Sequence, residues 1–339
     1  MSGSVKRVFV AGDWDADGVI AAALIVYSQE KAGQYPLESK AVVDKTPLDP
    51  DRAKYFLANF KGGYDVAVFL DIPYSEHLGN AIKMMRNHFG VSKIIFVDHH
   101  VTSLQKAKEL QSIVDVALID HRMPTAGLVL EELNRRGISV HQRLRSFVEV
   151  VKYMDTGRRV PDQYMKLFEL TKMFSKALTV VRDEALWSKI VDWLATPTPM
   201  PMPLDEALWS KVKAVIEERD KEVAEKAVEL AVGAIKIGDF RFIDARNKWK
   251  KRGVTALASK LSTILKAPVI LLAGTNREYF LLVIKASHGR AYRIAKYLVG
   301  EGIALDIAGH PNLAIVRLPK DLEKQDLVDK LHHAIYYSS

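Results

Sequence analysis

The chain has 339 residues, 48% of them hydrophobic and 27% charged, which is ordinary for a globular protein and long enough for two domains. No apolar run approaches the roughly 20 residues of a membrane span, and the start carries too few apolar residues for a secretory signal. With no cysteine there are no disulfides, no thiolate zinc site and no cysteine nucleophile, and a cytoplasmic location is the default expectation. The net charge of +8 is uneven: residues 231–339 hold 18 Lys+Arg against 9 Asp+Glu, which leaves 31 against 32 in residues 1–230. A basic C-terminal third either keeps the protein soluble or meets a polyanion such as nucleic acid.

In chain order, the first 120 residues alternate short β-rich runs with helical periodicity. RVFVAG, KAVV, DVAVFLDI, KIIFVDHH and VDVALID read as strands; GVIAAALIVYSQEKAG, DPDRAKYFLANF, SEHLGNAIKMMRNHFG and SLQKAKELQSI read as helices. Nearly continuous apolar strands between helices predict a parallel sheet covered on both faces. From Thr125 to about Val232 helices dominate. Here DEALWSK occurs twice, at 183–189 and 205–211, around a proline-rich extended link. Each copy reads as a helix start with Asp at the N-cap and Trp on an apolar face, within an insertion that needs no chemical role. The second copy opens a long amphipathic helix that would join the domains. A second α/β pattern follows, with AIKIGDFRFIDA, PVILLAG, YFLLVIKA and NLAIVRLP as strands and TALASKLSTIL, AYRIAKYLVGEG and a final helix between and after them. The expected organisation is therefore α/β, with a catalytic domain and helical linker at 1–230 and a smaller α/β domain at 231–339.

Three strands of the first domain end in acid: RVFVAG runs into Asp13-Trp14-Asp15-Ala16-Asp17-Gly18, VAVFL into Asp71, and KIIFV into Asp98-His99-His100. Ligands of open parallel sheets sit outside the carboxyl ends of the strands, so these acids would line one crevice. VKYMDTG adds Asp155 before a glycine turn. A strand-end Asp alone usually caps the next helix. Five or six carboxylates around two histidines repel one another unless cations compensate. Carboxylate and imidazole without thiolate suit manganese, magnesium or a related divalent ion better than structural zinc. So many acids imply two ions sharing a carboxylate, an arrangement suited to in-line displacement at phosphorus.

DWDADG, DIP, VDHH and MDTG, in this order and spacing, resemble the four motifs of the DHH phosphoesterase superfamily, with DWDADG most similar to its RecJ-like nucleases. AGHPNLA resembles the signature of the DHH-associated substrate domain. The resemblance covers essentially the whole chain. It implies that Asp13, Asp15 and Asp17 lie at or beside a first metal ion, that Asp71 bridges two, and that His99 and Asp155 complete the second. Asp98 would orient a neighbouring ligand, and His100 would contact the phosphate or assist the leaving oxygen. The implied cofactors are two divalent ions, Mn2+ preferred, with Mg2+ or Co2+ as alternatives. Ala11 stands where some relatives place the histidine that opens the first motif, so Asp13 takes its place; the glycine run of the C-terminal signature is reduced to Ile307-Ala308-Gly309, and Ile315 stands where a glycine often closes it.

Ser287, His288 and Arg290 lie on a turn entering a helix, and Gly309, His310 and Asn312 on the C-terminal signature; these would hold an oligonucleotide's phosphates or terminal base, or be ordinary turn residues. RNKWKKRG sets Trp249 among cations, which suits a single-stranded backbone and one stacked base as well as a solvated loop. The expected activity is a metal-dependent exonuclease on single-stranded DNA or RNA, in a cleft between the domains. A nano-RNase or cyclic-dinucleotide phosphodiesterase is the alternative within the superfamily. A non-catalytic scaffold in a replication or repair complex is the alternative of another class, and a replication or repair partner remains open in either case. A homodimer is one option for the oligomeric state.

Overall fold

The computed structural model describes residues 5–49, 53–156, 158–251 and 253–338. Packing divides the chain into two units, residues 1–213 and 214–339. The first unit opens with β1 (Arg7–Gly12), α1 (Ala16–Val26), β2 (Val42–Pro47), α2 (Ala53–Phe56), β3 (Val66–Leu70) and α3 (Glu76–Asn87). It continues through β4 (Lys93–Asp98), α4 (Val101–Gln105), α5 (Ala107–Ile113) and β5 (Val116–Ile119). The strands form one all-parallel sheet in the order β2-β1-β3-β4-β5. Chain direction across the sheet reverses between β1 and β3, and such a switch point opens a crevice at the carboxyl edge.

Side-chain alternation assigns the two faces. Phe9, Ala67, Phe69, Ile94 and Phe96 pack with Leu78, Ile82 and Met85 of α3 and Leu110 of α5. Val8, Val10, Val68 and Leu70 are buried on the other face, against α1. Every residue of α1 is buried, which fits a sequence that is apolar apart from Asp17 and Gly18 and makes it a central rod rather than an amphipathic cover. It is enclosed by α6 (Thr125–Arg135), α7 (Gln142–Thr156), α8 (Met165–Val181) and α9 (Glu184–Ala195). The helical stretch of the sequence is thus the roof over α1. The helix expected over SLQKAKELQSI is broken at Lys106 into α4 and α5.

Helix α10 (Glu206–Ala231) contains the division between the units. Then follow β6 (Ile235–Ile237), β7 (Phe240–Ala245), α11 (Val254–Leu265), β8 (Val269–Ala273), β9 (Tyr279–Lys285) and α12 (Arg290–Gly300). The chain closes with β10 (Asp306–His310), β11 (Leu313–Pro319) and α13 (Lys324–Tyr337). The six strands run β10-β11-β9-β8-β7-β6, antiparallel except for β7 beside β8. One face packs on α12 and α13, the other on α11 and the end of α10. AIKIGDFRFIDA, read as one strand, is a hairpin turned at Gly238, whose φ is +59°. Strand β10 was not expected, because Gly309 and His310 read as a loop. No helix among the described residues is long and apolar enough to cross a membrane.

Gly309 has a φ of +101°, and a Cβ there would stand 2.3 Å from the Leu313 carbonyl oxygen. Gly309→Ala is expected to destabilise the second unit by about 1–3 kcal/mol, read as a lower midpoint in urea unfolding.

Candidate metal centre

The parallel ladder continues one residue past β1 and β3 and ends on Asp98 in β4, and this places the acids. The Asp13 amide donates to the Leu70 carbonyl at 3.2 Å, and the Asp71 amide to that of Val97 at 3.0 Å. Asp13, Asp71 and Asp98 therefore stand side by side at the carboxyl edge. Beyond β1 the chain turns directly into α1: Asp15 Oδ1 accepts from the amides of Asp17 and Gly18 at 3.0 and 3.2 Å. Gly18 is required, since a Cβ would come within 2.5 Å of the Asp13 nitrogen. Asp71 adopts a left-handed φ of +61°, which Asp and Asn tolerate better than other side chains with a Cβ.

Two groups of ligand atoms, each within 4.8 Å of one another, result: Asp71, His99 and His100, and Asp13, Asp15 and Asp71. Asp71 is common to both. His99 Nε2 lies 3.4 Å from Asp71 Oδ1 and 3.8 Å from Asp17 Oδ2, and its Nδ1 lies 3.9 Å from Asp155 Oδ2. All eight acids and histidines singled out in the first unit thus lie at this edge. Gly157, which ends the MDTG motif, falls outside the described residues.

The electrostatics of the cluster are unfavourable without a cation. Burial, then the Asp15 carboxylate, pushes Asp13 up to about 7, and the same two causes push Asp17 up to about 8. Asp71 is raised well above the ordinary range by burial and by Asp17, Asp15 and Asp98. Asp98 differs: burial opposes its charge, but His100 and the Ser103 hydroxyl outweigh that and hold it below the usual range. Burial likewise opposes a charged His100, yet Asp98 takes it up to about 9. Asp98 is fully buried in a relay in which the Tyr74 amide donates to Ser103 Oγ at 2.8 Å, Ser103 Oγ donates to Asp98 Oδ2, and His100 Nδ1 donates to Asp98 Oδ1 at 2.8 Å. That relay fixes the imidazole orientation. An excess of buried carboxylates over imidazoles, held neutral only at an energetic cost, fits hard divalent cations of the manganese and magnesium type.

Several residues that hold the site carry no motif. Asp17 accepts the amides of Thr125 and Ala126 at the start of α6, both at 2.7 Å, and Thr125 Oγ1 donates to Asp71 Oδ1 at 2.9 Å. The Ala16 amide donates to Ser175 Oγ of α8 at 3.1 Å. Trp187, fully buried in the first DEALWSK copy, donates Nε1–H to the Asp13 carbonyl at 2.9 Å. The Arg182 guanidinium, paired with Asp49, lies 5.4 Å over the Trp14 ring and pulls Asp13 slightly downward against its burial. A polar residue beside an apolar helix start (Pro124-Thr125) was a legible signal for Thr125; nothing local marks the other three.

The second unit places its candidates at one turn. Asn312 Oδ1 accepts the Gly289 amide at 2.9 Å, which joins the Ser287–Arg290 turn to the β10–β11 turn. Ser287, His288 and Asn312 are not buried. Arg290 is bound through both terminal nitrogens to Asp239 at 2.5 and 3.0 Å and lies over Phe240. The backbone of His310 pairs with Leu313, and its side chain lies outside the described part. One expectation is corrected: Trp249 is 3% exposed in the core with Leu230 and Leu257, so it is no stacking platform. Its neighbouring lysines face Glu222, Glu225 and Glu229 of α10 across a cavity of about 540 Å³, which compensates the charge of this one segment.

Residues 7–175 match the N-terminal domain of the DHH family. No curated protein matches the sequence. Among solved structures, a DHH domain described as belonging to a family of ribosomal proteins is similar at 17% identity with a TM-score of 0.62, covering 97% of this chain and 86% of its own. RecJ from Thermus thermophilus, in complex with Mn2+, is similar at 16% identity and a TM-score of 0.59, covering 98% of this chain, which spans only 52% of that RecJ. A pGpG-specific phosphodiesterase from Vibrio cholerae is similar at 12% identity and a TM-score of 0.51, covering 98% of this chain and 100% of its own.

Asp71→Asn keeps a side chain suited to the left-handed backbone and an acceptor for Thr125, while it removes the cost of burying or neutralising that carboxylate. The metal-free variant is expected to melt several degrees above the metal-free wild type, at roughly 2–4 °C per kcal/mol for a unit of this size. Its melting point should no longer rise when Mn2+ is added. A second expectation separates the duplicated tryptophans. Trp187→Phe, which keeps most of the packing but loses the donor to the Asp13 carbonyl, should weaken Mn2+ binding about tenfold by calorimetric titration, because that bond fixes the backbone of the acidic loop. Trp209→Phe should leave Mn2+ affinity unchanged.

Proposed function

The chain belongs to the DHH phosphoesterase superfamily, and from that premise we propose that it is a divalent-metal-dependent phosphodiesterase that shortens single-stranded DNA or RNA from an end. The observation that carries the reading is the pair of ligand groups sharing Asp71 at the switch point of the parallel sheet. Asp13, Asp15 and Asp71 would hold one cation, and Asp71 and His99 the other, with Asp17 beside them and tied to α6 and Asp155 facing the Nδ1 side of His99. Bound there, the ions would supply an activated water and would neutralise charge on the phosphate oxygens. The chain's own groups do the rest. Asp98 fixes His100 through Nδ1, so Nε2 becomes the imidazole atom that meets a phosphate oxygen or the leaving oxygen. The Thr125 hydroxyl and the α6 amides hold Asp71 and Asp17 in place while charge develops.

Two further lines support the reading. RecJ and a pGpG-specific phosphodiesterase share the fold, which is analogy at the level of the fold. Residues 231–339 carry the basic excess, and Ser287, His288 and Asn312 lie on two turns of that region joined by a hydrogen bond. This region would grip the substrate, and Arg290 would join only by exchanging Asp239 for a phosphate. Dinucleotides are the alternative substrate, favoured by the fold shared with the pGpG-specific enzyme.

The test is hydrolysis of end-labelled single-stranded DNA, single-stranded RNA and pGpG, with Mn2+ or after chelation. Cleavage is expected only with the metal, and Asp71→Asn should lower turnover about 100-fold or more. Full activity in excess chelator would refute the proposal.

A further inference from the structure

The two DEALWSK copies begin their helices alike, yet their tryptophans end in different surroundings. Asp183 Oδ1 accepts the Leu186 amide at 2.9 Å, and Asp205 Oδ1 accepts the Leu208 amide at 2.7 Å, each as an N-cap. Trp187 is then fully buried beneath the Asp13 loop, whereas Trp209 is only half-buried and lies against α8. With Leu170 and Met173 it floors a groove of about 460 Å³. Lys166, Lys172 and Lys176, all the lysines of α8, stand around that floor, with Glu169 as the one acid among the lining residues.

Ten helical residues separate Lys166 from Lys176, a rise of about 15 Å, comparable with roughly four phosphate spacings of a stacked strand at ~3.4 Å each. An indole on an apolar floor beside a row of cations suits a strand whose bases stack while its phosphates meet ammonium groups. Acidic peptides would use the lysines but leave the aromatic floor without a flat partner. The groove also adjoins the metal centre through the same helix. Ser175, which holds the Ala16 amide, lies three residues after Lys172 and directly before Lys176, so Lys172 is its neighbour on the helix surface.

We propose that the groove between α8 and the start of α10 binds single-stranded nucleic acid, with a base on Trp209 and phosphates on Lys166, Lys172 and Lys176. The proposal rests on the phosphodiesterase reading above and deepens it: the substrate is a strand longer than a dinucleotide, part of which lies outside the metal centre.

The variants are Trp209→Ala and the surface pair Lys172→Gln/Lys176→Gln, whose folding is checked by melting. Binding of a fluorescent 20-nucleotide thymidine strand is measured in chelator, where nothing is cleaved, across a salt series. Trp209→Ala should weaken binding about tenfold, as loss of one base stack does. The lysine pair should make the salt slope shallower by about 1.4, for two lost phosphate contacts. With Mn2+, both variants should raise KM for the thymidine strand and leave kcat/KM for the dinucleotide unchanged. Wild-type affinity and salt slope in both variants would overturn the groove, whatever the hydrolysis results. If instead the variants lose the strand while the wild type hydrolyses nothing, the groove stands and the phosphodiesterase reading falls.

Discussion

Mutual repulsion among buried carboxylates is the constraint around which the first unit is organised. Asp13, Asp17, Asp71 and Asp98 stand within one crevice, and burial alone would favour their neutral forms. Left to relax, such a cluster would turn outward to water. It is kept inward by donors arriving from elsewhere: the α6 amides on Asp17, the Thr125 hydroxyl on Asp71, and Ser103 with His100 on Asp98. The fold therefore stores a cluster of buried carboxyl groups whose ionisation a cation would favour.

The layers divide this work. The parallel sheet sets the spacing of the acids through its own ladder, with no side chain needed. Helix α1, buried on every side, begins at the acidic loop and transmits its position to the helices packed around it. Those helices then return polar groups to the loop, Ser175 from α8 and the Trp187 indole from α9. An all-helical stretch with no catalytic motif is thereby part of the site.

The strand-end acids were legible because each follows an apolar run directly, so one window of sequence contains both the strand and its acid. The same is true of the duplicated helix starts at Asp183 and Asp205, whereas Asp15 caps a helix that begins two residues before the Gly18 start read from the sequence. Trp187, Ser175 and Arg182 were not legible: each meets its partner across 133 to 174 residues of chain, and no local pattern encodes a partner at that range. Trp249 failed for the opposite reason. Its cationic neighbours were visible in sequence, but the glutamates of α10 that compensate them and the core that receives the ring are set by tertiary packing. Strand β10 was hidden by Gly309, whose left-handed backbone reads as a turn although it pairs with Ala314.

The Trp187–Asp13 hydrogen bond has a consequence for how the protein is made. Its partners lie 174 residues apart. At ordinary rates of synthesis, of about 5–20 residues per second, the acidic loop leaves the ribosome roughly 10–35 s before the indole that holds it. During that interval the nascent chain carries the first acids of the candidate centre without the roof that positions them. A gene fragment ending near residue 175, where the family match stops, would encode every acid of the centre and still lack α9.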